Sequence, residues 1–475
     1  MRQATWLILP CMAGILNVSA QTLTPLHSFA VTDGANPFAG LVQATNGNFY
    51  GTTYGGGRTN DGTIFRVTPG GAFTTLHNFC TVSGCPDGAL IIGGLIQAKD
   101  GNFYGTANSG GANGPNYGTV FRMTPAGKVT TLYSFCAKTS CEDGSQPNAG
   151  LVQGANGDLY GTTRGGGANS YGTVFQITTS GALTTLYSFC PSSGCADGAH
   201  PTVPLIQGKD GALYGATLNG GGADDGVVFK ITTGGALTTL YSFCTVSGCA
   251  DGETPAGGLI QANDGYFYGT TEFGGLNSNG TIFKISSSGA LTTIYNFCSQ
   301  PSCLDGQIPA AALVQASDGN LYGTTQSGGL VGAGTIFKTT TSGALTSVYS
   351  FCAQLGCADG KEPFGLIQGT NGEFYGTNFS GGAGGAGTVF SFDTGLGPFV
   401  ELEPTSGKVG ATVKILGSNL TGATRVAFHG KSASFSVVSQ YEITAVVPSG
   451  ATTGPVTVVT PGGTLTSNVP FAVRP

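Results

Sequence analysis

Apolar and polar positions along this chain repeat in a fixed order from about residue 23 to residue 393. One unit shows the pattern. Gly150-Leu151-Val152-Gln153 is short and continuously apolar, as expected of a strand buried on both faces. Asn156-Gly157 then supplies the positive φ angles of a two-residue hairpin turn. A second strand is predicted over 159–163, a third over 172–178 beyond a glycine-rich loop, and a fourth over 183–189 after the turn at Ser180-Gly181. The tyrosine of the second strand recurs at Tyr50, Tyr104, Tyr160, Tyr214, Tyr268, Tyr322 and Tyr375, spaced 53 to 56 residues apart. Four short antiparallel strands per unit, seven times over, predict an all-β, seven-bladed β-propeller across residues 21–395. A linear solenoid would need atypical capping units, and the end units here are ordinary.

The ends of the array predict how the ring closes. A lone fourth-type strand, Leu23 to Phe29, precedes any first-type strand, while the last unit ends near Asp393 without a fourth. The N-terminal strand is therefore expected to complete the last blade. Beyond Gly395-Leu396-Gly397-Pro398 glycine thins and valine alternates with polar residues, as in Thr412-Val413-Lys414-Ile415 and Val456-Thr457-Val458-Val459. Turns every eight to twelve residues or so predict an immunoglobulin-like β-sandwich over 398–475.

Through Gly319-Asn320-Leu321-Tyr322-Gly323-Thr324-Thr325 and Gly172-Thr173-Val174-Phe175, the units resemble the GloVer tandem-repeat family of secreted bacterial proteins. That resemblance implies export and variable surface attachment, and brings no catalytic residues with it. The C-terminal segment resembles an IPT/TIG domain through Pro404-Thr405-Ser406-Gly407, Val413-Lys414-Ile415-Leu416-Gly417, Val426-Ala427-Phe428-His429-Gly430 and Gly454-Pro455-Val456-Thr457-Val458. The likeness implies a spacer or interaction module.

Glycine numbers 83 of 475 residues, but it recurs in register with aromatic and β-branched positions, which indicates folded repeats instead of disorder. With a net charge of −6 and 18 basic residues scattered singly, the chain has no footprint for nucleic acid or an anionic membrane. Arg2, the apolar run Trp6 to Leu16 and Val18-Ser19-Ala20 read as a secretory signal over 1–20, cut after Ala20; the run is too short to span a bilayer. A lipoprotein reading through Cys11 is disfavoured by Pro10 and the apolar residues beyond. The mature chain is expected to be a monomer outside the cytoplasm.

Twelve cysteines then remain, in pairs of one spacing: Cys80/Cys85, Cys136/Cys141, Cys190/Cys195, Cys244/Cys249, Cys298/Cys303 and Cys352/Cys357. Each pair lies between a fourth strand and the next first strand. Phe29 reaches Asp33 in four residues where Phe79 takes eight to reach Asp87, so the cysteines mark the feet of an inserted excursion. Exported chains favour a disulfide across each neck. Zinc would want four ligands per site, and four histidines cannot supply six sites.

These excursions and the glycine-rich loops are expected on one face of the propeller. Seven Asp-Gly steps lie there, at Asp33, Asp87, Asp143, Asp197, Asp251, Asp305 and Asp359. They read as turn-capping residues, with a calcium-binding ring as the competing reading. His27 and His77 fill a slot that is tyrosine elsewhere. Residues that break the repeat are the candidates for chemistry: His200, with Asp224, Glu253 and Glu272 in loops of the same face, could form an acid–base group, although ordinary surface charge is the simpler reading. Asp225 is matched by Asp61, which weakens its claim. Tyr54, Tyr117 and Tyr171 could stack on a sugar. No phosphate loop, zinc-protease motif or nucleophile elbow is present, and nothing calls for a metal or cofactor. A non-catalytic binding protein, with an extracellular glycan or cell-envelope protein as partner, is the leading expectation; a secreted carbohydrate-active enzyme and a purely structural surface protein are the alternatives.

Overall fold

The computed structural model describes residues 21–474, so the expected leader over 1–20 lies outside the described residues. Each blade is one four-stranded sheet in simple up-and-down order. In the third blade the strands are Val152–Gln153, Leu159–Thr163, Thr173–Ile177 and Leu183–Ser188, counted outward from the axis. Antiparallel register pairs Val152 with Tyr160, Gly161 with Phe175 and Val174 with Tyr187, with a bulge after Val174. The second strand is wholly buried, because a neighbouring blade covers each of its faces. Gly161 is glycine for a steric reason. A Cβ there would lie 2.6 Å from the Phe175 ring and 2.7 Å from Leu151, which fill the space instead.

The N-terminal strand Thr22–Ser28 pairs antiparallel with Thr388–Asp393, placing Leu23 opposite Phe392, and so completes the seventh blade. Phe29 is fully buried and lies edge-on to Phe65 of the first blade, 5.2 Å between ring centroids. Phe49 of the first blade stacks on Tyr375 of the seventh at 3.8 Å, as Tyr50 meets Phe103 between blades one and two at 4.2 Å. A closed ring removes the open edges that a row of sheets would present.

Around one end of the ring runs a set of glutamines. Gln153 ends an inner strand, donates from Nε2 to Gly157 O of its own turn at 2.8 Å, and accepts at Oε1 from Lys99 N of the preceding blade at 2.9 Å. Gln43, Gln97, Gln207, Gln261, Gln315 and Gln368 do the same. The last link, Thr370 N to Gln43 Oε1 at 2.9 Å, joins the seventh blade to the first.

The C-terminal strands form two four-stranded sheets, one led by Glu401–Glu403 and Thr412–Leu416, the other centred on Arg425–Phe428 and Val456–Thr460. Val413, Ile415, Val426, Phe428, Ile443, Val456 and Val458 fill the space between them. This sandwich meets the glutamine end of the propeller. Phe399 N donates to Thr370 O, the Thr370 and Ser418 hydroxyls lie 2.9 Å apart, and Asn263 Nδ2 reaches Asn468 O. A crevice lined by Gln43, Gly47, Thr370, Glu401, Leu416 and Tyr441 separates the two bodies. Glu401 keeps solvent contact along its residue, yet its carboxyl is crowded by the crevice. That crowding, with Glu403 adding repulsion, holds its pKa up at about 7.

Two outcomes follow. Phe29→Ala should cost about 3–5 kcal/mol in denaturant unfolding, and removal of residues 21–29 should abolish a single cooperative transition. The folded Glu401 keeps its proton to higher pH than the unfolded chain, so its contribution to stability is full below the ordinary value of 4.5 and is lost as pH rises toward about 7. Thermal midpoints across that window should fall less steeply in Glu401→Gln.

Candidate functional site: the cysteine-loop face

The opposite end of the ring carries the excursions and the glycine-rich loops together, as the antiparallel order requires. The excursions are stitched to those loops through the backbone: Gly167 N donates to Cys141 O, and Ser145 and Gly165 exchange two hydrogen bonds. All six expected disulfides are formed: Cys80–Cys85, Cys136–Cys141, Cys190–Cys195, Cys244–Cys249, Cys298–Cys303 and Cys352–Cys357, with Cα atoms 4.0 to 4.2 Å apart.

The shared cysteine spacing predicts six alike excursions, and here Cys85 and Cys195 depart from it. Cys141, Cys249, Cys303 and Cys357 each end a short 3-10 turn, whereas the loops that reach Cys85 and Cys195 have none. A proline lies in each of these two loops. Pro86, directly after Cys85, has no N–H to close such a turn as Glu142 N closes on Thr139 O and Leu304 N on Pro301 O. Pro191, in the loop of Cys195, stands where Ala137, Thr245, Ser299 and Ala353 each donate an N–H to the aspartate that follows. In these two loops the carboxylate is met instead by the first cysteine, Cys80 N to Asp87 and Cys190 N to Asp197, both at 3.1 Å.

The Asp-Gly aspartates are joints inside these loops. Asp143 is fully buried and accepts from Tyr133 Oη at 2.8 Å, Ala137 N at 2.9 Å and Lys138 N at 3.1 Å. Asp251, Asp305 and Asp359 are held in the same way under Tyr241, Tyr295 and Tyr349. Asp197 keeps its tyrosine, Tyr187, at 2.9 Å. Burial, then the bond to Asp197, pushes the Tyr187 phenol up to about 12. In the two blades with histidine in that slot, His27 meets Asp33 at 3.0 Å and His77 meets Asp87 at 2.9 Å. Burial lowers the His27 pKa against the opposing pull of Asp33. With donors already filling these carboxylates, their geometry is that of a turn brace.

The residue third after each aspartate has left-handed backbone, with φ between 54° and 59°: Asn36, Leu90, Gln146, His200, Thr254, Ile308 and Glu362. Six of these seven are residue types for which that conformation costs on the order of 1–2 kcal/mol. The slot is held from both sides. His200 N donates to Tyr171 O of the preceding blade at 2.9 Å, and His200 O accepts from Leu218 N at 3.3 Å. Backbone hydrogen bonds thus join three variable residues at each of these blade junctions: Tyr117, Gln146 and Arg164 at one, Tyr171, His200 and Leu218 at the next, then Asp225, Thr254 and Glu272, then Asn279, Ile308 and Gln326.

This assigns places to the sequence candidates. His200 Nδ1 lies 3.0 Å from Arg164 O, and its ring is 5.4 Å from that of Tyr171. Asp225, Glu253 and Glu272 gather one junction away, with Asp224 beside them accepting from Gly220 N. Burial raises the pKa of all three, reinforced at Asp225 by Asp224 and Asp251 and at Glu253 by Asp225 and Asp251. Tyr54 belongs to the junction of the seventh and first blades, through Tyr54 N to Asn36 O, so the three candidate tyrosines occupy three separate junctions. Among the described residues, the one group with metal-ligand spacing is Asp225 with Cys244 and Cys249, whose sulfurs are already bonded to each other. The axial cavity, about 320 Å³, is lined by Phe364 of an inner strand and by residues just before the other inner strands, such as Phe38, Ile92, Asn148, Val203 and Ala310, and by no ionisable side chain.

A ring of seven four-stranded blades with a β-sandwich against its glutamine end is a β-propeller protein with an appended immunoglobulin-like module. The chain belongs to the Gloeobacter/Verrucomicrobia repeat family, whose profile matches residues 15–206, 81–262 and 193–390, and residues 399–473 match the IPT/TIG domain. Curated proteins provide no match. Among solved structures, the extracellular domain of a hybrid two-component system of B. thetaiotaomicron is 12% identical with a TM-score of 0.52, over 96% of this chain and 60% of that one. A second such domain from that organism is 11% identical with a TM-score of 0.49, over 91% and 52% of the two chains. A gluconolactonase structure reaches 11% identity and a TM-score of 0.39, over 80% and 94%. This chain therefore spans little more than half the length of either sensor domain, and these likenesses concern fold alone.

If the aspartates brace turns, Asp143→Ala should cost about 1–3 kcal/mol by stranding buried donors, while calcium or a chelator should leave the thermal midpoint unchanged. A midpoint that drops in chelator would overturn the brace.

Proposed function

We propose that this chain is an exported, non-catalytic binding protein that holds its ligand on the cysteine-loop face, with the IPT/TIG domain as a spacer or docking module behind it. The left-handed slot carries this reading. In a chain with 83 glycines, this left-handed position, which favours glycine, is never glycine and never the same residue twice. Exposure alone does not produce such variety. Thr24, Thr74, Thr130, Thr184, Thr238, Thr292 and Thr346, one in each outer strand, are exposed and identical. Side chains kept at a backbone cost, on loops set by a rigid scaffold, are where binding is expected.

Six disulfides fit a chain that works in an oxidising compartment.

The mature chain should be offered soluble polysaccharides and displayed random peptides, with product analysis on every bound substrate. The expected result is binding without new products, weakened about tenfold when one junction loses its side chains: Tyr171 with His200, Asp225 with Glu272, or Ile308 with Gln326, each changed to alanine. New products, binding indifferent to all three pairs, or no binding at all would overturn the proposal.

A further inference from the structure

Beside the variable junctions, the same face changes character around the ring. Leu276, Leu330, Val331 and Leu355 are 76%, 75%, 62% and 99% exposed. Leu276 and Leu330 fill a glycine-loop slot that is Arg58, Ala112, Ala168 and Gly222 in the first four blades. Leu355 stands where other excursions carry Ser83, Thr139, Ser193, Ser247 or Pro301.

These residues form one stretch of rim. Asn277 Nδ2, next to Leu276, donates to Phe297 O at the foot of the Cys298–Cys303 excursion. Gly329 N, next to Leu330, donates to Cys303 O on the far foot of that excursion. Leu330 N then reaches Ser350 Oγ, just before the Cys352–Cys357 excursion that bears Leu355. Exposed leucines on linked loops mark a surface that is covered in use.

The Glu272 end of this stretch is acidic, whereas Lys361 follows the excursion of Leu355 at the other end. Glu272 opens the loop that holds Leu276, and Asp225 lies across the same junction. Among the described residues the ion pairs are His27–Asp33, His77–Asp87, Lys230–Asp210 and Lys338–Asp318, so neither carboxylate has a cationic neighbour of its own. A second copy of this acidic chain would set like charges together, and an anionic bilayer would be repelled. A partner with apolar side chains flanked by lysine or arginine matches both halves.

We propose that the rim from Glu272 to Leu355 is a protein-docking surface whose partner is a polypeptide segment with apolar residues beside basic ones. This rests on the binding reading above and narrows it: the ligand is a protein, met by one arc of the ring.

The test is selection of displayed random peptides on the immobilised mature chain, followed by titration calorimetry with one enriched peptide made synthetically. Enriched sequences should combine leucine, isoleucine or an aromatic residue with lysine or arginine. Leu276→Ser with Leu330→Ser should weaken that peptide about tenfold, and Asp225→Asn with Glu272→Gln should weaken it severalfold and flatten its salt dependence. Arg58→Ala, at the matching slot of the first blade, should change nothing. Because the leucines are exposed, the serine variant keeps its fold, checked by an unchanged thermal midpoint.

Enriched peptides without basic residues, or peptides indifferent to the leucines, would overturn the proposal. So would leucine-dependent capture of phosphatidylcholine vesicles, or leucine-dependent dimers in sedimentation. If no peptide is enriched but a polysaccharide binds and depends on the junction residues, this inference fails and the binding reading stands. If neither class binds, both fail.

Discussion

The glutamine at the end of each inner strand is the interaction on which the rest of this molecule depends. Its Oε1 holds the hairpin turn of the preceding blade while its Nε2 holds its own, so one side chain fixes both the turn and the spacing between blades. Each such bond contributes only about 1 kcal/mol net, but the set is cyclic. The last bond, from Thr370 to Gln43, forms only when seven blades and the N-terminal strand are in place. An open row of the same blades would leave one turn N–H and one glutamine carbonyl unpaired, and ring closure pairs them. Stacked aromatics between blades, such as Phe49 on Tyr375, contribute the burial, and the glutamines tie each turn to the next blade.

That ring divides the propeller into two unlike ends. At the glutamine end the same glutamine recurs in every blade, the sandwich packs against that end, and Glu401 sits in the crevice between. At the other end the aspartate–tyrosine joints hold loop bases in one geometry, while the positions between the joints differ at every junction. The His27–Asp33 and His77–Asp87 pairs show how tightly the joint constrains its members. A different donor occupies the slot, yet the carboxylate is met at the same length, with or without the inserted excursion.

Much of this was legible in the sequence, because strand, turn and repeat each leave a period. The four-strand unit followed from apolar runs and Asn-Gly steps, and ring closure followed from a count of strand types, confirmed by the pairing of Leu23 with Phe392. The cysteine excursions were legible because the N-terminal unit lacks one. The different loops at Cys85 and Cys195 were signalled by Pro86 and Pro191, since a missing N–H is a property of the residue itself. What stayed hidden was lateral contact. Gln153 reads as the polar end of a strand until the preceding blade is placed beside it, although its recurrence in all seven units was a signal available to reading. Left-handed backbone at Leu90 or Ile308 has no sequence mark, since neither residue type favours it. His200 and the carboxylates looked like one group along the chain, and they part because consecutive loops serve consecutive junctions.

A symmetric scaffold with an asymmetric face constrains what can be bound. A polymer of identical sugars laid around the axis would gain most from the same side chain in every blade, since each junction would then meet the same group. Here the seven left-handed slots hold seven different residues, and the exposed leucines are confined to the arc from Leu276 to Leu355. Repeats of this similarity descend from a common unit, and the buried Tyr50, Tyr104 and Tyr160 positions show how little the unit tolerates change where packing decides. The left-handed slots differ in every blade, while the exposed outer-strand threonines stayed alike. Under the proposed binding function such a face would suit a ligand without sevenfold repetition, and a folded or extended polypeptide presents different chemistry at each step.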